Sequence, residues 1–245
     1  MRTIAGLMLA CGAVLAAAPT TSAGEHEDAL AVVEQAIKAH GGADALAKMQ
    51  NVQRSGAGTI TLGKNDQAFT AEVAWSLPDR LRMALLVDKK FPLTTVLNGD
   101  KGWQSSGGPA MEMGAESLRE LRDELAVRRL ATLTPLTRGE FKLAPLPEVK
   151  VNGEPAVGVK AAQGKTEMKL YFDKKTHLLV KIERRASEGG RMIDKEYVFG
   201  DHKEFDGVTL PTKEVVLING RKFSEEAGMT YKMPRKIDDA LFGKP

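Results

Sequence analysis

Cysteine is nearly absent from this chain. Of 245 residues only Cys11 carries a thiol, and it sits in the N-terminal segment. A lone thiol excludes an internal disulfide and any zinc site built on paired cysteines. Histidine is scarce as well, and His26, His40, His177 and His202 do not stand at the spacing of a zinc motif. No metal and no other cofactor is expected. His40 is read as a partner of a helix C-terminus, His177 as a solvated turn residue, and Asp201-His202-Lys203-Glu204 as a charged loop. Aromatic residues make up only 5% of the chain, and 35 basic residues nearly balance 32 acidic ones. Arg184-Arg185 and Arg221-Lys222 are isolated and flanked by acids, so nucleic acid is excluded as a partner. No serine occupies a Gly-x-Ser-x-Gly elbow. Gly56-Ala57-Gly58 lacks the third glycine and the strand-to-helix setting of a dinucleotide loop, and reads as a glycine-kinked strand. Asp238-Asp239 reads as a helix cap. Nothing meets the geometric roles of an active site, so the protein is not expected to be an enzyme.

Long apolar runs are missing too, with one exception. Arg2 is followed by an apolar stretch from Ile4 to Ala18 and then by Thr21-Ser22-Ala23. This is the pattern of a secretory signal peptide over residues 1–23, cut after Ala23. The run is shorter than the ~20 residues of a membrane span, and no stable span is expected after cleavage. Met8-Leu9-Ala10 is a poor lipobox before Cys11, so lipidation is not expected. With the segment goes one arginine, leaving 34 basic against 32 acidic residues in a single domain over 24–245. Its expected location is the periplasm, in soluble form.

What is present is β-pattern and turns. In Lys165–Arg185, Met168, Leu170 and Phe172 alternate with Glu167, Lys169 and Tyr171. After Asp173-Lys174-Lys175-Thr176, Leu178, Val180 and Ile182 alternate with Leu179, Lys181 and Glu183. Two such runs about a short polar turn make an antiparallel hairpin. Phe69, Ala71, Val73, Trp75 and Leu77 alternate in the same way, followed by Leu81, Met83, Leu85 and Val87 and by 93–97; residues 59–62 form a first strand. Asn98-Gly99, Asn152-Gly153, Asp206-Gly207, Asn219-Gly220 and Glu188-Gly189-Gly190 each separate β-patterned runs, and such pairs tolerate the positive φ of tight hairpin turns. Successive hairpins imply an antiparallel meander, and a sheet of this many strands must curl or close.

Helices are few. Residues 27–49 carry the stripe Leu30, Val33, Ile37 and are divided by Gly41-Gly42 into a long helix and a short one. Residues 115–130 carry Leu118, Leu121 and Leu125, with acids early and Arg128-Arg129 late, and end before Thr134-Pro135. The segment before them, 105–114, is small and Gly-rich with Met111 and Met113. The end of the chain, 237–242, reads as a short turn or helix pinning the last strand. The fold class is therefore mainly β (α+β), a strongly curved antiparallel sheet forming an unclosed barrel whose concave face is covered by helices 27–49 and 115–130.

Alternation aims Trp75, Leu77, Leu81, Met83, Leu85, Leu97, Met168, Leu170 and Phe172 into that concave face. A sealed core and an open pocket for a lipid chain share this pattern, since periodicity does not distinguish a filled interior from a hollow one. In the second reading the helix bearing Leu118, Leu121 and Leu125, with its Met-rich approach, is a movable lid.

Several stretches carry a family likeness. Ala39-His40-Gly41-Gly42, Asn98-Gly99-Asp100-Lys101-Gly102-Trp103, Tyr171-Phe172-Asp173-Lys174 with Leu178-Leu179-Val180, Asp206-Gly207-Val208 with Leu210-Pro211, and Asp238-Asp239-Ala240-Leu241-Phe242 resemble exported proteins related to the outer-membrane lipoprotein-sorting carriers, the LolA-like superfamily. The resemblance implies an unclosed antiparallel barrel wrapped around helices. It also implies a non-catalytic carrier of lipid acyl chains or lipoprotein cargo. The alternative it implies is an envelope sensor or interaction module with a protein partner. These motifs are turns and strand edges, and no family binding residue maps onto a numbered position here.

Overall fold

The computed structural model describes residues 23–63, 65–164 and 166–245. The expected signal segment, with Cys11, lies outside the described residues apart from Ala23. Thirteen antiparallel strands form one unclosed sheet. From Asn51 the chain lays down β1 (Asn51–Leu62), β2 (Asn65–Ser76), β3 (Arg80–Val87), β4 (Phe91–Asn98), β5 (Lys101–Ser105) and β6 (Met111–Glu112), each beside the last. Then α3, after α1 (Ala23–Ala39) and α2 (Ala43–Ala47) at the start of the chain, runs Ala115–Ala131 and carries the chain away from this edge. At about 1.5 Å per residue its 17 residues span about 25 Å. A second meander starts at the opposite edge: β7 (Lys142–Val151), β8 (Glu154–Gln163), β9 (Thr166–Asp173), β10 (Leu179–Glu188), β11 (Arg191–Phe205), β12 (Val208–Ile218) and β13 (Arg221–Lys232). The last strand, β13, pairs with the first, β1, so the two meanders meet at the centre of the sheet.

Turn chemistry explains the hairpins. Asn152-Gly153, Asp206-Gly207, Asn219-Gly220 and Gly189-Gly190 all have positive φ at both positions, the requirement of a tight turn matched to strand twist. Asn98 differs: it still pairs with Lys101, and Gly99, at φ +59, opens the turn. Both outer edges are blunted against pairing with other chains. The strand at one edge, β6, has two residues, and β7 at the other carries Pro145 and Pro147.

Several expectations need correction. The first strand begins at Asn51, not 59, because Gly56 and Gly58 remove the side chains through which alternation is read, and a bulge at Ser55/Ala57 shifts the register. Asp201-His202-Lys203-Glu204 is not a loop but part of β11, with Asp201 kinked at φ +51. In β10 a register shift between Leu179 and Lys181 breaks the expected parity. Leu179 enters the core beside Ile182, while Val180 packs on the convex side with Val151, Ala156 and Tyr171. The terminal turn Asp239–Phe242 pins β3 and β4 rather than the last strand, seating Ile237 and Phe242 on Ala74 and Val96.

On the concave side α1 packs on β7 and β8, and α3 packs on β3, β4 and β10. Close approach of α3 needs Gly102, since a Cβ there would stand 2.6 Å from Leu118 Cδ2 and 2.9 Å from the Val96 carbonyl oxygen. Where α1 ends, Gly41 takes φ +106 with room for no side chain, since a Cβ there would stand 2.0 Å from the Gly207 carbonyl oxygen. None of the described helices is long and apolar enough to cross a membrane.

Candidate functional site

The nine residues read from the alternation all lie in or against one apolar cluster. Trp75, Leu81 and Leu97 are direct cross-strand neighbours on β2, β3 and β4. All three are buried, while Leu77, Met83 and Leu85 are half-buried. Met168, Leu170 and Phe172 lie on β9, opposite Ala161, Val159 and Val157 of β8, and are buried. The two sets sit on separate parts of the sheet, with β1, β13, β12 and β11 between β2 and β10. The stripe on α3 meets the cluster through buried Leu121 and Leu125 and half-buried Leu118, joined by Val127 and Leu130. The apolar face is thus largely covered by the protein's own helices.

Between the apolar sets the concave face is charged, which the sequence reading did not anticipate. Glu124 of α3 accepts hydrogen bonds from Arg184 Nη2 at 2.6 Å, Lys195 Nζ at 2.7 Å and Tyr197 Oη at 2.9 Å. Arg128, one turn on, adds a contact at 3.6 Å. Burial alone would raise the Glu124 pKa, but Lys195, Arg184 and Arg128 overrule it and hold the carboxyl at about 2. Burial raises the Tyr197 hydroxyl well above its ordinary value, with the Glu124 charge adding to it. On β1, Arg54 pairs with Glu226 of β13 at 2.8 Å, both side chains less than a tenth exposed. Its other terminal nitrogen lies against the Met229 sulfur, and the Tyr231 hydroxyl is a further hydrogen-bond partner of the guanidinium. Burial pushes the Glu226 carboxyl up despite that pairing.

A signal for this polar centre was present: Arg184 shares parity with Ile182 and Ala186, and Arg54 with Val52 and Ile60. Single charges inside apolar parity are easily assigned to a solvated face.

His40 also differs from expectation. Its backbone N–H closes the end of α1 on the Ala36 carbonyl at 2.9 Å, but its side chain reaches away to the sheet. Its Nε2 accepts the Leu179 N–H at 3.0 Å, and Nδ1 donates to the Thr209 carbonyl at 2.6 Å, bridging β10 and β12. Burial lowers its pKa from 6.5 to about 4, so the ring is neutral and the tautomer follows from the two bonds. His202 Nε2 donates to the Leu179 carbonyl nearby.

Three spaces remain along α3. A cleft of about 740 Å³ runs beside its C-terminal half, with Ala126, Leu130, Pro135, Phe141 and Met168 among its walls and Arg184 and Lys195 at its polar side. A smaller space of about 250 Å³ lies at the N-terminal half, bounded by Met83, Met113, Leu121 and Phe223. The third, about 90 Å³, sits at the centre of the concave face against Trp75, Val127, Arg128 and Arg54. Of the residues expected to line a hollow, Met168, Met83 and Trp75 each reach one of these spaces.

No known protein-family model matches the chain, and no curated protein matches it. Solved structures do. A DUF1329 family protein from Desulfovibrio piger superposes with a TM-score of 0.56 at 14% identity, over 88% of this chain and 97% of that one. A LolA superfamily protein from Nitrosomonas europaea gives 0.54 at 11%, over 88% and 97%. An outer membrane lipoprotein-sorting protein domain from Vibrio parahaemolyticus gives 0.51 at 12%, over 89% and 97%. An unclosed sheet of this topology, plugged by helices and superposing along nearly the whole length of these proteins, is the LolA-like fold.

Proposed function

We propose that this protein is a non-catalytic, exported carrier that takes up the acyl chain of a lipid or a lipidated protein between its sheet and α3. The observation that carries the reading is the cleft beside α3. Its volume of about 740 Å³ falls within the roughly 300–1,000 Å³ of small-molecule sites. Two thirds of its lining side chains are charged or polar, and its apolar ones, Ala126, Leu130, Pro135, Phe141, Met168 and Met192, lead through Met168 onto the Leu170–Phe172 face. In this reading the acyl chain first occupies the cleft, and displacement of α3 then opens the apolar face beneath. Met83 and Met113, at the smaller space by the N-terminal half of α3, adapt to contents of variable shape. Each buried methylene contributes roughly 0.8 kcal/mol, so one long chain is held firmly yet releasably. The fold adds support, since structures sharing it include a lipoprotein-sorting domain. The test is native mass spectrometry of protein purified from its own cell envelope, followed by solvent extraction. Co-purifying lipid is the expected result. Protein that stays ligand-free, even after incubation with envelope lipid, overturns the reading.

A further inference from the structure

The central cavity of about 90 Å³ is small and lined by unlike walls. Met49, Trp75, Val127, Leu179, Phe199 and Leu210 make it apolar on most sides. Into it converge Arg54 from β1 and Arg128 from α3. Each guanidinium has one carboxylate beside it, Glu226 for Arg54 and Glu124 for Arg128 at 3.6 Å, and otherwise meets weaker acceptors. The Arg54 side chain is nine-tenths buried, and beyond one Glu226 oxygen its guanidinium meets the Met229 thioether and the Tyr231 hydroxyl. Arg128 donates to the Glu124 backbone carbonyl at 2.9 Å, faces the Met83 sulfur at 3.9 Å, and stands 5.9 Å from the centre of the Trp75 ring. Thioether sulfur is a weak acceptor, whereas a guanidinium fork matches carboxylate and phosphate oxygens. The charged side chains that line the cavity are Arg54 and Arg128 against Glu214 of β12, an excess of one cation; behind them Glu226 backs Arg54, and Glu124, itself held by Arg184 and Lys195, backs Arg128.

We infer that the cavity between Arg54 and Arg128 is the seat for the anionic head, carboxylate or phosphate monoester, of a single-chain amphiphile whose alkyl tail runs along α3. This rests on the carrier reading and specifies its ligand class. The volume suits it: a space of about 90 Å³, where a single water needs at least roughly 10–15 Å³, has room for a small head group and not for a long tail. The bound head replaces sulfur with oxygen as the acceptor on each arginine. Trp75, whose indole N–H is held by the Met49 carbonyl at 3.1 Å, forms a wall the ligand must touch.

The test compares oleate, oleyl alcohol, lysophosphatidate and monoolein on lipid-stripped protein, by calorimetry and by Trp75 fluorescence. Oleate is expected to bind roughly tenfold or more tightly than oleyl alcohol, the worth of a charge-assisted pair. That ratio is expected to collapse in R128Q. Because R54M alone strands Glu226 and can fail to fold, the R54M/E226M pair serves as the second variant, with the same loss expected. A preference for lysophosphatidate over monoolein without one for oleate assigns the head as phosphate and supports the inference. Equal binding of charged and uncharged amphiphiles, with lysophosphatidate no better than monoolein, overturns the head-group site and leaves the carrier reading standing. Binding of none of the four overturns both.

Discussion

Glu124 on α3 and Arg184 on β10 stand 2.6 Å apart inside the concave face, the arginine side chain only 5% exposed. The pair fastens the covering helix to the sheet with a charge contact where a helix sealing a core normally uses apolar side chains. A buried ion pair adds little net stability over a well-packed apolar substitute, but removing one partner strands the other.

Glu124→Gln is therefore expected to destabilise the fold by on the order of 3 kcal/mol, because Arg184 and Lys195 lose the charge they face. Urea unfolding measures the loss. Amide exchange along 115–131 should accelerate more than exchange in β1 and β13. An unchanged midpoint would mean that the contact holds nothing.

Stability should fall on acidification in two stages. Burial keeps His40 neutral with its pKa lowered from 6.5 to about 4, so between those values the unfolded chain binds the proton that the native state refuses. Its contribution is complete above pH 6.5 and is lost as pH falls to 4, about 3 kcal/mol in all. Burial lowers His202 in the same direction. Glu124, held at about 2, contributes above its ordinary 4.5 and loses that contribution as pH falls from 4.5 to 2. Unfolding free energy measured from pH 7 to pH 3 in the wild type and in His40→Gln checks the first stage. The variant should be less stable at pH 7 and show a shallower slope between 6.5 and 4.

Gly41→Ala is expected to cost more than an ordinary glycine substitution. The new methyl would sit 2.0 Å from the Gly207 carbonyl oxygen at a φ of +106, so the junction of α1 with the β11–β12 turn must move. Loss on the order of 2 kcal/mol or more is expected by thermal unfolding.

Gly102→Val should loosen α3, with some strain passed to the β4–β5 pairing. Its side chain would displace Leu118 and press on the Val96 carbonyl. If α3 is the lid of a carrier, uptake of a fluorescent fatty acid should be faster in this variant while strand protection is retained. Slower or unchanged uptake would count against lid motion.

Much of the architecture was legible. Asn152-Gly153, Asp206-Gly207 and Asn219-Gly220 impose tight turns by local backbone chemistry, which needs no tertiary information, and the Leu118–Leu121–Leu125 stripe buries as its spacing implies. The chain order was not, because nothing local tells a strand whether its neighbour precedes or follows it by two hundred residues. The Leu179/Lys181 bulge escaped for a related reason: it sits where His40, from another part of the chain, takes the Leu179 N–H, a contact that local alternation does not show. For the site, apolar parity located the two oily patches, but Arg184 and Glu124 become partners only when β10 and α3 meet, and Arg54 and Glu226 only when β1 meets β13.

The seam between β1 and β13 joins the first strand to the last. While the chain is being made, β1 waits with one side bare, and so does β13 once it emerges. Neither finds its mate until nearly every residue is available. Closing that seam is a long-range, slow step, during which two exposed strand borders invite pairing with other copies. Shortening the C-terminus by β13 should therefore give chains that assemble with one another, even though every other hairpin is intact.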